Sequence, residues 1–340
     1  MTDAARYLPS LAYLVPSLLV ALYAVRGSPP HSNVLPAPAD RGLDSLPPNS
    51  RVREIYPENW LEGGGYVTLP LGRVRYWIVG PENGKKVVLI HGLTTPALAF
   101  ARIVPLLVAA NFRVMVYDLY GRGYSDAPRT APYDTNMYVT QLALLLQHVG
   151  WDKTRLVGYS MGGAIAAAFV ATFPNLVEKD VGLIASAGAG EKGIPLTSYR
   201  HFALARWIVF QGFLRRITKG RSTAVELPPA SEIAPLQAAS LPGYSRAVAS
   251  SLHEGPIVRM RWAFHSDNWK GRRVMFIFGT NDSVVKPADV TTLRNTLKEH
   301  ADPDVRVVDV AGAGHDVVVT HAPLLGAALV EFFEDKVKYV

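Results

Sequence analysis

The stretch Leu156-Val157-Gly158-Tyr159-Ser160-Met161-Gly162-Gly163-Ala164 sets one hydroxyl between a strand-like run and a run of helix formers. Its core, Gly158-x-Ser160-x-Gly162, is the pattern in which a serine nucleophile is held on a strained strand-to-helix turn. Glycines two positions to either side leave room where a Cβ would collide with the turn or with a neighbouring strand. Arg155-Leu156-Val157 reads as the end of a buried strand, and the run from Ala164 to Ala171 reads as helix. Ser160 is therefore expected at a helix N-terminus, with the backbone N–H of Met161 aimed at negative charge developing beside it. Taken alone, the same residues also fit a glycine-rich turn with a capping serine, so the rest of the chain must decide.

The elements that would position such a serine follow from the pattern of apolar runs. Residues 65–70 and 72–79 partly alternate around a Pro-Leu-Gly turn and predict an antiparallel hairpin. The runs 87–90, 114–117, 155–157, 181–184, 274–278 and 305–308 are short and mostly continuous in apolar residues, which suits strands covered on both faces. Helices are predicted between them at 97–110, 134–149, 161–173, 287–300 and 322–337. This alternation argues for an α/β fold with a doubly wound, mostly parallel sheet, in which ligands bind beyond the carboxyl ends of the strands. Chemistry-bearing residues do follow the runs directly: His91-Gly92 after the first, Asp118 after the second, Ser160 after the third, Asp282 after the fifth and His315 after the sixth.

In content, order and spacing, five motifs resemble the α/β-hydrolase superfamily: His91-Gly92, Asp118-x-x-Gly121-x-Gly123-x-Ser125, Gly158-x-Ser160-x-Gly162-Gly163, Gly279-x-x-Asp282 and Gly314-His315. The resemblance covers about residues 65–337. It implies an α/β-hydrolase fold with a helical cap inserted after the sixth strand, and a serine, acid and histidine acting in that chain order. The chemistry explains the residue types. A neutral serine hydroxyl is a poor nucleophile and needs a base within hydrogen-bond reach. Among nine histidines, His315 alone follows a strand near the C-terminus in a Gly-rich loop. An imidazole that gains a proton needs a carboxylate to hold its tautomer, and Asp282 is the chosen acid. Asp316 adjoins His315, but neighbours in a loop rarely turn their side chains together. Asp118 is implied by the resemblance to brace its own Gly-rich loop, and His91 to shape the oxyanion site structurally. The oxyanion hole is implied to use the N–H groups of Leu93 and Met161.

Residues 190–268 lack a clear buried strand, and aromatic residues from Tyr199 to Phe213 are interleaved with arginines there. This segment looks like the cap, which would close the site and exclude water. The reading is a cofactor-independent serine hydrolase of lipophilic carboxylic esters that proceeds through an acyl-enzyme. A C–C bond hydrolase, thioesterase or lactonase would use the same triad, and a silent relative acting as a binding protein is the non-enzyme alternative. Dehalogenases and epoxide hydrolases of this fold use an aspartate nucleophile, and Ser160 argues against both.

The remaining chain bounds the setting. A composition of 49% hydrophobic and 19% charged residues is that of an ordinary globular chain. The net charge of +7 is scattered, and no zinc or RNA-binding signature accompanies it, so no nucleic acid partner is expected. The chain has no cysteine, which excludes disulfides and thiolate chemistry. Gly188-x-Gly190-x-x-Gly193 mimics a dinucleotide fingerprint, but Pro195 follows at once and no acid stands about 20 residues on, so no cofactor is expected there. No metal site is expected either. Residues 7–25 carry no charge between Arg6 and Arg26, close to the ~20 apolar residues that span a bilayer. Segment 1–27 is thus expected to anchor the protein to a membrane, the alternatives being a cleaved signal peptide of a secreted protein, a helix packed on the protein's own surface and a dimerisation segment. The only glycosylation sequon, Asn281-Asp282-Ser283, would fall in the site, which favours a cytosolic catalytic domain. Residues 28–57 are Pro-rich and read as a linker, 58–189 and 269–340 as the core.

Overall fold

The apolar runs form the middle of one eight-stranded sheet. Its strands are β1 (Gly65–Leu69), β2 (Gly72–Val79), β3 (Lys85–Ile90), β4 (Phe112–Tyr117), β5 (Thr154–Tyr159), β6 (Val177–Ile184), β7 (Arg273–Gly279) and β8 (Asp304–Val310). The computed structural model describes residues 35–191 and 232–335. The order across the sheet is β8-β7-β6-β5-β3-β4-β2-β1. The β1·β2 and β2·β4 pairs are antiparallel and every other pair is parallel. Residues 87–90 of β3 and 114–117 of β4 are fully buried, as are Leu156 and Val157 of β5. Helices on both faces leave these positions no polar surface to meet, which explains their unbroken apolar character. The register carries Ile90 to Gly158, Tyr159 to Ile184, Ile184 to Ile277 and Ile277 to Val308. The carboxyl ends of β3, β5, β6, β7 and β8 therefore meet along one edge of the sheet.

β6 begins at Val177, four residues before its apolar run, and passes through Glu178-Lys179-Asp180. Asp180 is buried between Arg155 of β5 (3.1 Å) and Arg273 of β7 (2.7 Å). A charge in the sheet interior is tolerable once its neighbours pair it. The predicted helix 97–110 is two pieces, a 3-10 turn over Ala97–Phe100 and helix α1 (Val104–Ala109). Pro105 lies in the first turn of α1, where a missing N–H costs nothing; a helix continuing through it would lose a bond and clash. Helix α2 (Thr135–His148) starts at Asp134, whose carboxylate accepts the Met137 N–H at 2.9 Å. Helix α3 (Met161–Thr172) follows β5, and its residues 161–170 are all buried, so it is apolar all round. Between β6 and β7 stand α4 (Ile233–Ser240) and α5 (Tyr244–Glu254), within the segment expected as the cap; the stretch from Tyr199 to Phe213 lies outside the described residues. Helices α6 (Pro287–His300) and α7 (Ala322–Glu334) complete the layers.

Two N-terminal expectations are corrected. From residue 35 on, the Pro-rich stretch is packed rather than a free linker: Leu43, Val52 and Tyr56 are buried, and Ala39–Asp40 pairs antiparallel with Ala127–Pro128. Apolar anchors between prolines hold it down, Leu43 in a 3-10 turn over Leu43–Ser45 and Val52 in a short helix over Arg51–Ile55. The expected anchor at 7–25 lies outside the described residues. Among the described residues no helix is long and apolar enough to cross a membrane. The expectation of a membrane-associated protein with one transmembrane segment is withdrawn accordingly.

Candidate active site

Ser160 stands between β5 and α3 with φ 56° and ψ −120°, a conformation that a residue with a Cβ rarely adopts. Backbone bonds hold it there. Its N–H donates to the Ile184 carbonyl at 2.9 Å, and its carbonyl accepts from the N–H groups of Gly163 and Ala187, both at 3.0 Å. The flanking glycines are required by space: a Cβ on Gly158 would overlap the Gly162 carbonyl, and one on Gly162 would overlap the Ile90 carbonyl oxygen. Sharp reversal against β3 is what presents the hydroxyl at the sheet edge.

His315 follows β8 and Asp282 follows β7, and the structure brings both to Ser160. Ser160 Oγ lies 3.0 Å from His315 Nε2, and His315 Nδ1 lies 2.8 Å from Asp282 Oδ2. Asp282 Oδ1 accepts the N–H groups of Val284 (2.8 Å) and Val285 (2.9 Å), so its carboxylate is fixed in a turn that it caps itself. With the carboxylate as acceptor, His315 Nδ1 carries the proton and Nε2 is free to accept from the serine. The Tyr159 hydroxyl donates to the His315 carbonyl at 2.8 Å, and its ring lies 5.4 Å from the imidazole. Asp282 is 3% exposed and His315 8%. Such an arrangement can take a proton from Ser160 and hold it on a stabilised imidazolium. Asp316 instead heads the short helix Val317–Thr320.

His91 and Asp118 serve the surrounding loops. The Leu119 N–H donates to His91 Nε2 at 2.9 Å, so Nδ1 carries the proton and donates to the Gly92 carbonyl at 2.8 Å. Burial pushes this imidazole down to about 3, and the Arg122 charge pushes the same way, so it stays neutral. The Gly92 carbonyl and the Leu93 N–H share one planar peptide, so His91 fixes the orientation of that N–H. Asp118 accepts from the N–H groups of Ala97 (2.9 Å) and Tyr124 (2.8 Å) and from the Tyr56 hydroxyl (3.0 Å), bracing the loop after β3 as well as its own. Burial raises its carboxyl to about 7 against these bonds.

Leu93 and Met161 line a cavity of about 280 Å³ that opens on Ser160. Sequence reasoning missed most of its other walls, among them Leu252, Ile257, Val258 and Val285. Their apolar character is the only local signal, and it does not separate a cavity wall from ordinary core. Among the described residues no group of three or more His, Asp or Glu side chains could hold a metal ion.

The family model described as alpha/beta hydrolase fold matches residues 85–322. The chain is 35% identical over 114 residues to Lipase 3 of Moraxella sp. (strain TA144), a match covering 33% of this chain and 35% of that protein. It is 24% identical over 298 residues to the haloalkane dehalogenase of Mycolicibacterium paratuberculosis (strain ATCC BAA-968 / K-10), covering 84% of this chain and 96% of that one. The chain spans between about a third and just over half of the length of the curated relatives it matches first, at 35%, 45% and 56%. Among solved structures, a membrane phospholipase A described as a novel bacterial virulence factor superposes with a TM-score of 0.61 at 20% identity, over 97% of this chain and 98% of the other. At that identity the likeness is one of fold.

Proposed function

The chain belongs to the α/β-hydrolase family, and from that premise we propose that it is a serine hydrolase of carboxylic esters, lipophilic ones by preference. The observation that carries this reading is the unbroken relay from Ser160 Oγ through His315 to the buried Asp282. Ser160 Oγ attacks the ester carbonyl carbon while its proton passes to His315 Nε2, and Asp282 stabilises the imidazolium. The carbonyl oxygen, now negative, is held by the N–H groups of Leu93 and Met161 at the start of α3. When the tetrahedral intermediate collapses, the C–O bond to the alcohol breaks and His315 returns the proton to the leaving oxygen. Water, deprotonated by the same imidazole, then cleaves the acyl-enzyme and frees Ser160.

In this reading residues 190–268 are the cap over a core of 58–189 and 269–340. The apolar cavity walls support the lipophilic preference. Each methylene moved from water into such a cavity is worth ~0.8 kcal/mol, or about a fourfold gain in kcat/KM, until the space is filled.

The test is hydrolysis of a chain-length series of activated esters by the wild type and Ser160→Ala, with labelling by a serine-directed phosphonate. The wild type should turn over and be labelled, and Ser160→Ala should lose on the order of 10⁴-fold or more in kcat and all labelling. A wild type that neither turns over nor reacts with the phosphonate would sink the proposal.

A further inference from the structure

Arg122 is fully buried, and the partners it holds are all neutral. Its Nε–H donates to the Leu93 carbonyl at 2.9 Å. One terminal nitrogen donates to the Tyr120 carbonyl (2.9 Å) and the Tyr138 hydroxyl (2.6 Å), and the other to the Ser251 hydroxyl (2.9 Å). The rings of Tyr133 and Tyr138 stand 5.8 and 5.7 Å from the guanidinium carbon. Removing a cation from water without a counter-ion is costly. What offsets it is a planar fork that satisfies four acceptors from four segments: the loop after β3, the Gly-rich loop, α2 and α5. The Tyr138 hydroxyl lies 2.7 Å from Ser251 Oγ, which itself donates to the Ala247 carbonyl at 2.8 Å, so α5 is tied firmly to this fork.

A second set of bonds reaches the same place from the cap. Gln237 of α4 donates to the Thr94 carbonyl at 3.2 Å and accepts the Gly123 N–H at 2.7 Å. Tyr244 of α5 donates to the same Thr94 carbonyl at 2.8 Å. The three peptides around Leu93 are therefore each held through their carbonyls: Gly92 by His91, Leu93 by Arg122, and Thr94 by Gln237 and Tyr244. The first bond comes from within the loop, whereas the third comes wholly from α4 and α5.

We propose that Arg122 is a positioning residue for the oxyanion hole, and that Ser251, Gln237 and Tyr244 make the setting of the Leu93 N–H depend on the seating of α4 and α5. The inference rests on the hydrolase reading above, because it concerns the N–H that receives the oxyanion. The cap then does more than cover the substrate: it supplies part of the frame that holds one transition-state donor in register. Lysine cannot replace Arg122, since one ammonium on a flexible stem does not span acceptors from four segments.

The experiment compares the full chain with Arg122→Lys, Ser251→Ala and Tyr244→Phe. It measures kcat per active site, counted by phosphonate titration, together with KM and the inhibition constant of an alkyl boronic acid. The boronate adds to the serine and places an anionic oxygen in the hole, so it reports the donors directly. Arg122→Lys should lower kcat per site and boronate affinity together, about tenfold each, since a displaced donor costs less than the ~10²–10³ of a deleted one. Ser251→Ala and Tyr244→Phe should lower both about threefold, with KM within about twofold of the wild type in all three. Loss of packing alone would reduce the number of titratable sites and leave kcat per site unchanged, which would overturn the proposal, as would unchanged boronate affinity. If Arg122→Lys does not fold, Ser251→Ala and Tyr244→Phe decide the matter by the same two readouts. A wild type without turnover or labelling overturns the hydrolase reading and this inference with it; an active wild type with unaltered variants overturns this inference alone.

Discussion

His91 and His315 each follow a parallel strand of the same sheet and each is buried, yet the loops that hold them differ in what the ring nitrogens meet. Both partners of His91 are backbone groups, Leu119 N–H and Gly92 carbonyl. Both partners of His315 are side chains, the carboxylate of Asp282 and the hydroxyl of Ser160. A ring locked between two backbone groups, with burial holding it near 3, cannot accept a proton near neutrality. A ring with a carboxylate behind it and a hydroxyl in front is placed to take the proton of that hydroxyl. Residue type therefore says little about role, and the nature of the two partners says most of it.

Replacing each histidine separates the two loops. His315→Ala should remove activity, on the order of 10⁴-fold or more in kcat, while the melting temperature moves little. Asp282→Asn should cost about 10⁴-fold, because its amide nitrogen favours the wrong tautomer of His315. His91→Gln should lower kcat only about tenfold, through the Leu93 N–H, while destabilising the protein by about 1–3 kcal/mol as buried backbone groups lose their partner. An enzyme whose His91→Gln form lost as much activity as His315→Ala, with its stability intact, would erase the distinction.

Acid stability gives the finest contrast. His91 falls from an ordinary 6.5 to about 3 on folding, so its contribution is complete above 6.5 and is lost as pH drops towards 3. Asp118 rises from 3.8 to about 7, so its contribution is complete below 3.8 and is lost as pH climbs through 7. Between about pH 4 and 6.5 the two slopes oppose each other, each at most about 1.4 kcal/mol per pH unit. Relative to the wild type, His91→Gln should gain stability on acidification across that window and Asp118→Asn should lose it. Chemical denaturation at pH 7, 6, 5 and 4 measures both, and three parallel curves would refute the pairing.

The same contrast explains what could be read in advance. Ser160, Asp282 and His315 were legible as candidates because each follows an apolar run just beyond a glycine, and the turn chemistry is local. The mostly parallel character of the sheet followed from the alternation of runs, whereas the order of strands across it has no signal in that alternation. The start of β6 was not legible, because Asp180 is acceptable only beside Arg155 and Arg273, which are distant in the chain. Leu43, Val52 and Tyr56 were not legible as core because the one helical turn between Pro48 and Pro57 and the lone Leu43 are too short to carry a readable period. Arg122, Gln237 and Ser251 carry no local sign of their partners either: a serine inside a helix looks like any other until the fold places an arginine beside it.

The conformation of Ser160 has a consequence for how sequence change is tolerated. Its φ of 56° is imposed by main-chain bonds to Ile184, Gly163 and Ala187, none of which involves the hydroxyl. Ser160→Ala therefore inherits the conformational penalty, whereas Ser160→Gly escapes a cost on the order of 1–3 kcal/mol, less what glycine gains in unfolded-chain freedom. The glycine form should melt above the alanine form while being equally inert. Drift towards thermal robustness at this one position leads away from catalysis, so a population of such sequences keeps its serine only while turnover is under selection.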